Sequence, residues 1–244
     1  MTELSNAVLI PGVVAENRVL APGIHKVTIK IDDCHFTHPG QYAIIEHEGR
    51  RDPFTVCEYD GSRFTVVFKP NDDFSGHLAD LPVGTEVKAA TGLGNGFDVD
   101  AVPDGAYLVA DTRGIPQMLS LAREMLMSGK KCKLVLSYDS KEEIFMTDSF
   151  RNLCSEMEIL TADGSNGRQG NADDGVRKAD YACASGSKEM LRNLASKVSE
   201  GQFNMSDVID NEYGETEITT VFGSLNIGKD GPVFNKNSIV WSSI

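Results

Sequence analysis

The stretch Ala106-Tyr107-Leu108-Val109-Ala110-Asp111-Thr112-Arg113-Gly114-Ile115-Pro116 separates two kinds of structure in this 244-residue chain. Ala106 to Ala110 is an apolar run of strand length. After a short turn, Ile115, Met118, Leu119, Ala122, Met125 and Leu126 recur at spacings of three and four, which marks the buried face of a helix. Gly129 stops that helix, and residues 133–138 read as the next strand. A strand, a turn, a helix and a second strand form the repeating unit of a parallel, doubly wound sheet.

The pattern continues downstream. Residues 150–157 are expected to be helical. Residues 157–161 and 181–185 are expected as strands, and Met190, Leu191, Leu194 and Val198 fit one helix face. The polar segment 162–175 reads as an exposed loop, and the signals weaken from about residue 201. Upstream the periodicity is that of strands. Residues 7–14, 25–31, 42–46, 54–58, 63–68 and 86–90 are short apolar runs separated by Ala21-Pro22-Gly23, Pro39-Gly40, Tyr59-Asp60-Gly61-Ser62 and Leu81-Pro82-Val83-Gly84. Many short strands with regular turns predict a small barrel or sandwich, with a brief helix over 75–81. The pattern alone therefore gives a β module, barrel or sandwich, followed by an α/β doubly wound domain, with a short C-terminal tail.

Bulk properties exclude several functions. A net charge of -13 opposes nucleic-acid binding, which needs clustered Lys and Arg. It equally opposes an anionic membrane surface. No apolar run is long enough to span a bilayer, and the N-terminal residues lack the pattern of a signal peptide, so a cytoplasmic location is expected. The five cysteines (Cys34, Cys57, Cys132, Cys154, Cys183) form no C-x-x-C pair, so they are read as thiols and no metal site is expected.

Six short motifs, in one order along the chain, carry a family resemblance. They are Pro39-Gly40-Gln41-Tyr42, Asp52-Pro53-Phe54-Thr55-Val56, Leu93-Gly94-Asn95-Gly96-Phe97, Thr161-Ala162-Asp163-Gly164-Ser165, Cys183 through Leu191, and Gly231-Pro232-Val233-Phe234. Together they resemble the ferredoxin–NADP reductase superfamily, and within it the electron-transfer subunit of dihydroorotate dehydrogenase. The resemblance implies a flavin-binding-type barrel over 1–100, an NAD-binding-type α/β domain over 101–200, and a segment over 201–244 that corresponds to a lost [2Fe–2S] region. It also implies a relay, in which a nicotinamide nucleotide reduces FAD, which feeds the cluster and then a partner flavoprotein of pyrimidine biosynthesis.

The same resemblance nominates cofactor-binding positions. Pro53, Phe54 and Thr55 match the motif at the flavin edge, although Asp52 replaces its Arg; neighbouring Arg51 would substitute only where the strand is irregular. In the pyrophosphate loop, Asp72-Asp73-Phe74-Ser75 replaces a Gly-x-Gly-Thr pattern. Ser75 is its remaining hydroxyl, and Lys69 and His77 are the nearby basic groups. In the nicotinamide loop only Gly114 survives, beside Asp111 and Arg113. Cys183 matches a cysteine near the nicotinamide. The cluster segment between Ile209 and Phe234 holds Glu215, Thr216, Glu217, Thr219, Thr220 and Ser224 and no thiolate, so no [2Fe–2S] cluster is expected.

These substitutions leave FAD through a weakened site, FMN, or no flavin at all as alternatives, with NAD(P) disfavoured. The expected function is a divergent FAD-type oxidoreductase or electron-transfer subunit, working with a flavoprotein dehydrogenase subunit or by self-association. The rival expectation is a cofactor-free pseudoenzyme acting as a structural or regulatory partner. The acidic turns at Asp72-Asp73 and Asp111 also motivate a third, a loop set that takes a cationic or neutral ligand.

Overall fold

The computed structural model describes residues 7–206 and 216–244. Six antiparallel strands close a barrel in the order β1-β2-β5-β4-β3-β6. They are β1 (Ile10–Ala21), β2 (Ile24–Ile31), β3 (Tyr42–His47), β4 (Arg50–Asp60), β5 (Arg63–Phe68) and β6 (Glu86–Leu93). Alternate residues face inward, as a period of two requires. Val27, Ile29 and Ile31 of β2 meet Ala43 and Ile45 of β3, Phe54 and Val56 of β4, Phe64 and Val66 of β5, and Val87 and Ala89 of β6. Helix α1 (Asp73–Asp80) lies over one barrel end and buries Phe74 and Leu78 in the same core. The Asn17 amide holds its C-terminal end by donating to Ala79 O (3.0 Å) and Leu81 O (2.8 Å).

The second unit is a seven-stranded sheet in the order β10-β9-β8-β7-β11-β12-β15. Parallel strands β7 (Ala106–Asp111), β8 (Cys132–Tyr138), β9 (Glu156–Thr161), β10 (Arg168–Gln169), β11 (Ala179–Ser185) and β12 (Val198–Asn204) form most of it. The antiparallel β15 (Val233–Asn235) covers one edge. Strand order reverses between β7 and β11, which opens a crevice at their C-terminal ends, the usual ligand position in doubly wound sheets. The described residues also form helices α2 (Ile115–Met127), α3 (Thr147–Phe150), α4 (Lys188–Ala195) and α5 (Ile227–Asp230) and the hairpin β13 (Glu217–Thr220)–β14 (Gly223–Asn226).

The expected fold class is thus the observed one, with local corrections. The helix expected over 150–157 does not form; the single turn α3, Thr147–Phe150, meets it only at Phe150. From Glu156 the chain pairs with β8 in the register Lys133↔Glu156, and this parallel pairing overrides the local helical pattern. Val198 is not on the helix face of Met190 and Leu194; it opens β12 opposite Ala179. Leu126 is exposed, whereas Leu121 is buried, because α2 packs both on the sheet and on barrel strand β4. The segment 162–175 is not wholly exposed. Ala172 and Asp173 are buried there, and Asp173 pairs with Lys197 at 2.8 Å.

Three of the sequence motifs meet at the junction between barrel and sheet. Asn95 donates from Nδ2 to Val233 O (2.7 Å), accepts from Val233 N (3.0 Å), and its own amide donates to Gly231 O (2.8 Å). Gly94 has φ +77°, and a Cβ there would stand 2.5 Å from Pro232 Cδ and 2.6 Å from Gly231 O. Gln41 Nε2 donates to Gly94 O (2.8 Å), Phe97 N donates to Pro39 O (2.7 Å), and Tyr42 Oη donates to Gly228 O (2.8 Å).

Candidate functional site

A cleft of about 1080 Å³ runs between the β3–β4 hairpin, the start of α1 and the C-terminal end of the sheet. Its barrel wall includes Arg50, Arg51, Asp52, Pro53, Phe54 and Thr55, and Lys69 and the Asn71 to Ser75 segment face them. The sequence-nominated Arg51, Pro53, Phe54, Thr55, Lys69 and Ser75 therefore line one cleft, as consecutive strands β4 and β5 and the helix after them place them. Phe54 is mostly buried and meets Phe68 edge-on, with ring centroids 5.1 Å apart. Strand β4 is regular over 50–55, pairing Asp52 with Ile45 and Arg51 with Glu46; its irregularity lies at Val56/Glu58. Arg51 therefore has no bulge that would move it into the position of Asp52, yet both residues line the cleft.

Ser75 also lines this cleft, but its hydroxyl is engaged. Asp72 is the N-cap of α1 and accepts from Ser75 N at 2.7 Å, while Ser75 Oγ accepts from Asp72 N at 3.2 Å and Asn71 N at 3.1 Å. This is a capping box, in which side chains satisfy the amides that open a helix. Lys69 reaches across to Glu143 at 3.2 Å. His77, the other basic group expected in this segment, meets His47 instead.

A second cleft, of about 590 Å³, lies at the reversal of strand order and shares Thr55, Phe68, Lys69, Asn71 and Arg113 with the first. Asp111 ends β7 on its wall. Its carboxylate accepts from Ser187 N (2.7 Å) at the start of α4 and from Arg113 N (3.1 Å). These turn and helix-start amides are the kind that cradle a phosphate, and here a side chain of the protein occupies them.

Gly114 lies at the start of α2, where a Cβ would overlap the Ser185 carbonyl, so close packing of two backbones accounts for a glycine there. Cys183 is fully buried in the sheet core, lines neither cleft, and has its thiol pushed up by burial. Sequence reasoning missed Arg50, Gln117 and Ser185. Gln117 is buried and accepts from Ser185 Oγ at 3.0 Å across the floor of the larger cleft. A lone Gln inside the apolar face of α2 was the available signal for it.

Of the expected cluster segment, residues 209–215, including Glu215, lie outside the described residues. Thr216 to Ser224 form the β13–β14 hairpin and its approach. Among the described residues, no helix is long and apolar enough to cross a membrane.

No family model matches the chain. Curated relatives are the dihydroorotate dehydrogenase B (NAD(+)) electron transfer subunits. That of Fusobacterium nucleatum is 29% identical over 77% of this chain and 79% of its own length. That of Bacillus caldolyticus is 28% identical over 75% and 77%. That of Clostridium perfringens is 24% identical over 92% and 95%. The chain is a distant homologue of these subunits over most of its length. Among solved structures, an NADH-dependent reduced ferredoxin-NADP oxidoreductase studied for flavin-based electron bifurcation superposes with a TM-score of 0.81 at 21% identity, covering 95% of this chain and 90% of that one. Phthalate dioxygenase reductase gives 0.68 at 16% identity, covering 83% and 69%. The fold is that of the ferredoxin-reductase-like FAD- and NAD-binding proteins.

Proposed function

We propose that this chain is a flavin-type oxidoreductase or electron-transfer subunit that works without an iron–sulfur cluster of its own. The observation that carries this reading is the larger cleft. Despite the chain's net charge of -13, its wall offers four basic side chains, Arg50, Arg51, Lys69 and Arg113, against three acidic ones, Asp52, Asp72 and Asp73. Beside them stand an aromatic ring, Phe54, and a hydroxyl, Thr55. This mixture suits a planar heteroaromatic ligand with an anionic tail.

In that reading Pro53 and Phe54 pack against the ring system, the Thr55 hydroxyl bonds its polar edge, and Arg51 with Lys69 holds phosphate. A bound flavin would supply the one- and two-electron chemistry that side chains lack. Ser75 serves the helix cap, and the carboxylates of Asp72 and Asp73 each oppose a nearby phosphate by about 1 kcal/mol where exposed. The site accordingly favours one phosphate on the arginine side over a pyrophosphate laid along α1.

The nicotinamide position does not fit its ligand. Asp111 fills the amides that a nucleotide would use, so the proposed electron donor is a protein, either a flavoprotein subunit or a second copy of this chain. Gly114 and Cys183 are assigned to packing. No cysteine follows Cys183, and of the five only Cys132 and Cys154 bring their sulfurs together (3.3 Å), which is short of the four thiolates of a [2Fe–2S] cluster. The proposed division places the flavin-type barrel in 1–100, the α/β unit in 101–200 and the segment that lost its cluster in 201–244.

A second reading has its own support. Two amide cradles are already closed by the chain's own side chains, at Asp72–Ser75 and at Asp111. This favours a cofactor-free subunit that keeps only the contacts to a partner. The visible spectrum of the purified protein separates the two. A yellow protein, or a colourless one that takes up added FMN or FAD, supports the flavin reading, with affinity several-fold weaker in Thr55→Ala. A colourless protein that takes up neither, while still unfolding cooperatively, leaves the second reading.

A further inference from the structure

We propose that His47, Glu48 and His77 form a site for a divalent transition metal, zinc above all, at the outer rim of the larger cleft. His47 ends β3 and His77 lies in the last turn of α1, 30 residues further on, so no local spacing motif announces them. In the folded chain His47 Nδ1 and His77 Nε2 stand 2.8 Å apart. The ring centroids are 5.0 Å apart at an interplanar angle of 29°, so these two nitrogens face each other nearly head-on. With the metal absent, one N–H···N hydrogen bond joins them. When each ring carries its proton on the far nitrogen, two lone pairs converge on the gap, and a cation is what satisfies both.

Glu48 adds the third donor. The ligand atoms of all three residues lie within 4.8 Å of one another. Glu48 has φ +52° and Gly49 φ +78°, the backbone of a two-residue hairpin turn, which places this carboxylate beside the histidines rather than out along the strand. Zinc takes imidazole nitrogens at about 2.0–2.1 Å and carboxylate oxygens at about 2.0–2.2 Å in a tetrahedron. The nitrogens would therefore move apart by roughly half an ångström and the carboxylate would close in by about 1 Å, within the reach of side-chain rotation. Both histidines are half-buried and Glu48 is exposed, so the fourth position faces solvent. Two His and one carboxylate with an open position is a donor set that suits zinc.

The position gives the site a consequence. The β3–β4 hairpin carries Arg50 and Arg51, and α1 is preceded by Asp72; all three line the larger cleft. A metal held by His47, Glu48 and His77 ties the β3–β4 hairpin to α1, two elements that line that cleft.

The test uses the full chain, freed of any affinity tag and stripped with chelator, and titrated with Zn²⁺ by calorimetry and with Co²⁺ by visible spectroscopy. The expected result is one saturable equivalent of metal, a cobalt spectrum without a thiolate charge-transfer band, and a raised thermal midpoint. His47→Ala and His77→Ala should each weaken binding at least about tenfold. Glu48→Ala lies in an exposed turn and serves as the variant least able to disturb folding; it should weaken binding several-fold. No saturable binding overturns the proposal. So does binding unchanged in the Glu48 and histidine variants, or a thiolate band, which would put the metal on cysteine.

Discussion

The junction of Gly94 and Asn95 with residues 231–234 and the two turns at 72–75 and 111–114 are built from the same materials. Each is a loop whose backbone amides need partners. At the junction the partners are other parts of the same family pattern, so the Leu93 to Phe97 loop, the Pro39 to Tyr42 entry and the C-terminal segment satisfy one another. At the two turns carboxylates of the protein, Asp72 and Asp111, sit where a phosphate would be an alternative partner. Motifs that hold the barrel to the sheet are present whether or not a cofactor binds. The turns at 72–75 and 111–114 have backbone amides bonded to the protein's own carboxylates.

The comparison can be broken first at Gly94. Gly94→Ala adds a methyl against Pro232 and Gly231 O at a φ of +77° and is expected to cost about 3 kcal/mol by denaturant unfolding. Gly84→Ala is the control, with φ +94° but nothing within 4 Å; only the backbone strain remains, about 1 kcal/mol. Equal losses at both positions would mean that the junction is not tightly packed. Asn95→Ala removes both side-chain bonds to Val233 and should cost about 2 kcal/mol in the same assay.

At the turns the expected effects are smaller. Asp111→Ala leaves Ser187 N and Arg113 N without their acceptor and should cost about 1 kcal/mol, measured as a lower unfolding midpoint. A more stable Asp111→Ala protein would show that this carboxylate is a burden rather than a latch. Asp72→Ala should cost up to about 1 kcal/mol through loss of the cap, whereas Asp72→Asn keeps the cap and should change stability by only a few tenths. On the flavin reading, Asp72→Asn also tightens flavin binding by about fivefold at low salt, because one carboxylate no longer faces the phosphate. Fluorescence titration of the two proteins side by side checks that effect.

Much of this was legible in the chain. The period of two before residue 94 and the strand–turn–helix at Ala106–Met127 gave a β module followed by a doubly wound sheet, because one face of each element must be buried; that the strands close into a barrel instead of a sandwich was not legible. Phe54, Thr55 and Lys69 were nominated through the motif resemblance, and they line one cleft because β4, β5 and the segment after them are consecutive and adjacent. Gln117, Ser185 and Arg50 were not, since their importance depends on which elements pack across the cleft. Asp111 was legible as an oddity in a glycine loop, but its bond to Ser187 joins positions 76 residues apart.

Read alone, the chain established most barrel strands, the strand–helix–strand unit that starts the sheet, the lack of a thiolate after Cys183, and the carboxylates in the turns at 72–75 and 111–114, because periodicity and side-chain chemistry are local properties. Only the tertiary structure decided what those loops do with their amides, that Ser75 and Asp72 cap a helix, and that His47 and His77 meet. Each of these depends on the distance between groups far apart in the chain, and packing of the barrel, α1 and the sheet sets that distance.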